Sequence, residues 1–137
     1  MLAIITPKSL KQKPGCLMTS EATAIYTAIT DQVGQAGEQE VEDYLASLVE
    51  QAIVYAEMRA NWALASNDDR VKNDAYRTHV HDSVIYYVTI ISRSLEQAGI
   101  KTTWFQQLVP SGNTNVDRKR IGDFACYICY LYAVSAR

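Results

Sequence analysis

Cysteine, proline and glycine are all scarce, at 3, 3 and 6 residues in a chain of 137. An odd number of thiols, in a chain long enough to hold itself together by packing, excludes a disulfide framework and fits reduced cysteines in a cytoplasm. So little proline and glycine excludes collagen-like and low-complexity chains. With 48% hydrophobic and 20% charged residues, the composition is that of a folding chain and not of a disordered one. Charge of one sign is missing too: the formal net charge is -2, so there is no global basic field of the kind that wraps nucleic acid. No apolar run approaches the roughly 18–20 residues that cross a bilayer, and no membrane contact is expected. The apolar start from Met1 to Ile5 meets Pro7 and Lys8 at once, which leaves no room for the apolar centre of a secretory signal.

What the sequence has in quantity is helical periodicity. Residues 1–18 carry Pro7, Pro14 and Gly15 among Lys8, Lys11 and Lys13 and read as a loosely held arm, with a single domain over 19–137. Thr19 or Ser20 can cap a first helix carrying Ile25, Ile29 and Val33 at four-residue spacing, which the segment from Gly34 to Gly37 stops. From Glu38 to about Ser66 the apolar seam Val41, Leu45, Leu48, Ala52, Tyr55 and Trp62 predicts a long amphipathic helix, broken only by Arg59. Asn67, Asp68 and Asp69 end it and cap the next, making an antiparallel hairpin.

The third helix runs from Asp69 to Ala98 on Val80, Val84, Tyr87, Ile91 and Leu95, and Gly99 followed by Ile100 supplies its stop. The run Thr103 to Gln106 has the pattern of a capping box for a short helix that Pro110 ends. A last helix begins near Asn115 or Asp117, with Ile121, Phe124, Ala125, Ile128, Leu131 and Tyr132 as its apolar face. The predicted fold is therefore all-α: a bundle of four main helices plus one short one.

No complete catalytic set emerges, and no cofactor or metal is expected. Cys126 and Cys129 have redox or metal spacing, but they fall inside a helix with no second pair and read as two small buried hydrophobes. His79 and His81 lie two positions apart, on roughly opposite helix faces, and cannot share one metal. The acids Glu38, Glu40, Glu42, Asp43, Glu50 and Glu57 lack the second carboxylate pair of the all-α nucleotide pyrophosphatases and read as a solvated face.

Arg77-Thr78-His79-Val80-His81 faintly resembles the Arg/His pair of the helical-bundle ribonucleases of the HEPN class. That resemblance implies a general-base histidine beside an arginine that stabilises phosphate charge. The gap of one or three residues is shorter than that class shows, and no other motif of it is present. A small ribonuclease or metal-dependent hydrolase centred on His79 or His81 is thus a minor reading beside a non-enzymatic one.

The nine tyrosines are the least ordinary feature. Tyr86 and Tyr87 are adjacent and cannot both face one core, so some of Tyr86, Tyr87, Tyr127, Tyr130 and Tyr132 must look outward. Tyrosine offers broad contact area with little entropy to lose, and these five are the candidate protein-binding residues. The leading expectation is a cytoplasmic, non-enzymatic helical protein, an inhibitor or adaptor, that works through a protein partner or self-association on this aromatic surface. The alternative is a nucleic-acid-associated accessory subunit that touches phosphates through Arg118, Lys119 and Arg120, the densest basic run, aided by the lysine arm.

Overall fold

Each helix starts and stops where a local group satisfies the free ends of the backbone. The computed structural model describes residues 17–110 and 114–135, with side chains at 17–110 and 118–134. Five helices follow in order: α1 (Thr19–Ala36), α2 (Gln39–Leu64), α3 (Asn67–Gln97), α4 (Trp104–Leu108) and α5 (Thr114–Ser135). No strand occurs among the described residues, and four of the helices are long, so the chain is an all-α bundle. No described helix is long and apolar enough to cross a membrane.

The caps differ in detail from those read in the sequence. Thr19 already lies inside α1, whose N-cap is Met18, and the Glu21 carboxylate reaches back to accept the Met18 N–H at 3.0 Å. Ser66, rather than the acids after it, caps α3 by accepting the Asp69 N–H on its hydroxyl at 3.2 Å. Asp68 and Asp69 then sit in the first turn, where carboxylates suit the positive end of the helix. The capping box at Thr103 does not form. Its backbone is already helical and its side chain caps nothing. The work passes to Thr102, which is held by Glu96 through its N–H at 2.7 Å and its hydroxyl at 2.9 Å.

The stops behave as their glycines imply. Gly37 at φ 64° and Gly99 at φ 85° both take the left-handed conformation, and Ile100 N–H returns to the Leu95 carbonyl at 2.9 Å. At the end of α2, where no glycine follows, the Trp62 carbonyl accepts the Ala65 N–H at 3.2 Å and also the Arg70 Nε–H of α3 at 3.0 Å.

α2 is the central element and packs most extensively against α3 and α5. Its inward residues Leu48, Ala52, Tyr55 and Ala56 meet Val84, Val88, Ile91 and Leu95 of α3 and Phe124, Ala125 and Ile128 of α5 in one core. Full burial of each large apolar side chain here is worth roughly 1.5–3 kcal/mol. Leu17, near the end of the predicted arm, is also fully buried, and its N–H donates to Asp123 at 2.9 Å. Residues 1–16, with the expected arm and its lysines, lie outside the described residues.

Candidate functional site: an arginine-lined cleft

Helical spacing places three short stripes against one another where the C-terminal half of α2 meets the N-terminal halves of α3 and α5. On α2, Tyr55, Arg59 and Trp62 recur at i, i+4 and i+7. On α3, Arg77 and His81 are four apart, and on α5 Arg118 and Gly122 are four apart. The resulting cleft encloses about 340 Å³, lined by Tyr55, Trp62 and Ala63 together with Arg59, Arg77, Arg118 and Lys119. Four cations thus share one recess, and among the described residues none that lines it is a carboxylate.

Each cation has its own support. The Arg77 guanidinium lies over the Trp62 ring, 4.6 Å from its centroid, and is anchored by Asp74 at 2.9 Å. Arg59, the break in the apolar seam of α2, reaches across to α5, where Asp123 stands 3.8 Å from it. That reach depends on Gly122: a Cβ on that residue would lie 2.0 Å from Arg59 Nη1 and 2.5 Å from Cζ. Only a bare backbone lets the guanidinium settle there.

Arg118 has no carboxylate within ion-pair distance among the described residues, and its Nε and that of Arg77 are buried with no acceptor. An unsatisfied buried donor costs about 1–3 kcal/mol.

Tyr55, only 1% exposed, forms the floor. Burial raises its hydroxyl pKa, while Arg59, Arg118 and Arg77 pull it back down, so all three guanidinium groups act on one phenol. Against the Tyr55 ring, at 5.5 Å between centroids, lies His81, which is also 1% exposed. Its Nδ1 meets Asp82 at 3.1 Å and its Nε2 has no partner. Burial holds the imidazole below its usual pKa, the Asp82 hydrogen bond opposes this, and nearby Arg118 and Arg77 add to the depression. The positive charge of the cleft therefore belongs to its arginines and lysine.

The residues singled out in the sequence are distributed unevenly around this cleft. Arg118 and Lys119 line it, whereas Arg120 turns to the other side of α5, donating to the Gln107 carbonyl and standing 3.6 Å from Glu21. His79 is exposed and His81 buried, as their opposite faces require. The tyrosines fall into two groups. Tyr86, 56% exposed, packs edge-on to Tyr87, and its phenol also acts on that of Tyr44 on α2. On the other side of the bundle Tyr127 is buried edge-on to Tyr26, whose hydroxyl meets that of Tyr132 at 3.1 Å. Tyr132 is 44% exposed and Tyr130 half-buried.

Cys126 and Cys129 are both buried, and burial pushes the Cys126 thiol up to about 11 despite the adjacent Arg59. The acids of α2 are all exposed, and among the described residues no three His, Cys, Asp or Glu side chains gather as a metal site.

Of the cleft residues, sequence reasoning assigns no site role to Tyr55, Arg59 and Trp62, and treats Arg77 only as the arginine of the minor ribonuclease-like reading. Two signals pointed to them: a lone arginine interrupting an otherwise apolar seam, and an Arg/His pair at four-residue spacing. No protein-family model, no curated protein and no solved structure matches this chain.

Proposed function

We propose that the protein binds single-stranded nucleic acid, with the arginine cleft as its phosphate site and Trp62 as an aromatic wall for a base. The observation that carries this reading is the convergence of Arg59, Arg77 and Arg118, from three different helices, on one recess lined, among the described residues, by no carboxylate. Guanidinium groups present planar forks of donors that match phosphate oxygens, and an adjoining aromatic face is how sequence-tolerant single-strand binders hold bases. A volume of about 340 Å³ lies near the small end of ligand clefts, roughly 300–1,000 Å³, with room for one nucleotide unit and none for a duplex.

A polymer has further cations to draw on in the sequence, where Lys8, Lys11 and Lys13 precede Leu17. The net charge of -2 does not oppose this, because the acids of α2 occupy its exposed face while the cations line the cleft.

Fluorescence anisotropy with labelled single-stranded DNA and RNA tests the proposal. Binding is expected at low ionic strength, and the affinity should fall as the salt concentration rises. The double variant Arg77→Ala/Arg118→Ala should lose it. Absence of binding to either polymer at about 50 mM salt would overturn the reading.

A protein interface on Tyr86, Tyr87 and Tyr44 is the second reading, supported by the exposure of Tyr86. Sedimentation of wild type and Tyr86→Ala distinguishes its self-association form: a monomer at all concentrations in both removes it.

A further inference from the structure

We infer that the cleft receives the phosphorylated end of a strand, a terminal phosphomonoester, rather than an internal phosphodiester. This rests on the nucleic-acid reading and narrows it. An internal diester carries one negative charge and two free oxygens, whereas a terminal monoester carries close to two charges and three acceptor oxygens. The recess is built for the larger charge. Arg59 and Arg77 are each partly matched by a carboxylate, but Arg118 has none among the described residues, and Lys119 adds a fourth cation at the rim. Three guanidinium groups from three helices around one floor suit three oxygens on one phosphorus.

The shape agrees with the charge. Tyr55 closes the floor, and behind it stands His81. On one side Arg59 spans from α2 to the backbone of α5 at Gly122, so the gap between those helices is barred by a side chain. A strand can put its end into such a recess, with its last base against Trp62, and on the sides that Tyr55 and Arg59 occupy it has no path onward. Gly122 then has a defined part: it positions Arg59 without touching the ligand.

The test uses one single-stranded sequence in three forms: both ends hydroxyl, 5′-phosphorylated, and 3′-phosphorylated. Anisotropy is read at constant ionic strength with the label at the opposite end. One phosphorylated form should bind at least about tenfold tighter than the hydroxyl form, the factor that roughly one charge-assisted hydrogen bond supplies. Gly122→Ala, which evicts Arg59, should reduce this end preference while leaving the melting of the bundle cooperative. Arg59→Gln should act in the same direction and serves if the glycine variant does not fold. Equal affinity for all three forms refutes the end preference and leaves the nucleic-acid reading standing. Failure of all three to bind refutes that reading itself. An end preference unchanged in both variants removes Gly122 and Arg59 from the site.

Discussion

Acidification draws on the stability of this bundle through His81. The imidazole is 1% exposed, lies against Tyr55 and is faced by Arg77 and Arg118, with Asp82 as its one hydrogen-bond partner. Burial disfavours its charged form, so its native pKa is depressed below the ordinary 6.5. In the unfolded chain the ring takes up a proton near the ordinary value. Below about pH 6.5 the unfolded state therefore holds more protons than the native one, and stability must fall as pH falls. The contribution is complete above 6.5 and is lost progressively until the native pKa is passed.

A one-proton difference between the two states sets the upper bound of that slope at about 1.4 kcal/mol per pH unit, against a total that for single domains is typically about 5–15 kcal/mol. Urea unfolding followed by circular dichroism at about pH 7.5, 6.5 and 5.5, in a buffer free of phosphate, measures it. The wild type should lose more stability between 6.5 and 5.5 than His81→Gln, whose side chain does not titrate there. Parallel losses in the two proteins would show that the buried imidazole is not the source, and the account of the cleft floor would fail with it.

Other expectations follow from the packing and the helix ends. Leu95→Ala removes a fully buried side chain from the last turn of α3 and should cost about 2–5 kcal/mol in urea unfolding. Alanine should have opposite effects at two neighbouring glycines with open space around them. At Gly37, where φ is 64°, it destabilises by about 1 kcal/mol, and at Gly34, inside α1, it stabilises by roughly 0.5–1 kcal/mol, both read from thermal melts. Cys126, with its thiol pushed up to about 11, should stay unreactive toward a thiol reagent at about pH 8 in the native protein and react once urea unfolds it.

Much of the architecture was legible before any coordinates, because it is written in local chemistry. Ile25, Ile29 and Val33 recur once per turn, and Gly99 with Ile100 spells a helix stop that the backbone then makes. The caps were less legible. Thr19, Ser20 and Thr103 are all residues that can cap, yet Met18 with Glu21 begins α1, and Glu96 draws Thr102 instead. Cap preference ranks residue types, and the choice among neighbours is made by whichever carboxylate packing brings within reach. The basic run was half legible: Arg118, Lys119 and Arg120 are consecutive, but a helix turns each by about 100°, so two face the cleft and the third meets Gln107 and Glu21.

The sequence by itself determined that this chain forms long helices, where they break, and which stripe of each is buried, since periodicity and backbone preference act over a few residues. Only the tertiary structure decided that Arg59, Arg77 and Arg118 would share one recess above Tyr55, with His81 sealed behind it. Those residues are far apart along the chain, and their meeting depends on the rotation and sliding of α2 against α3 and α5. Close packing of the core selects that register, and the cations follow.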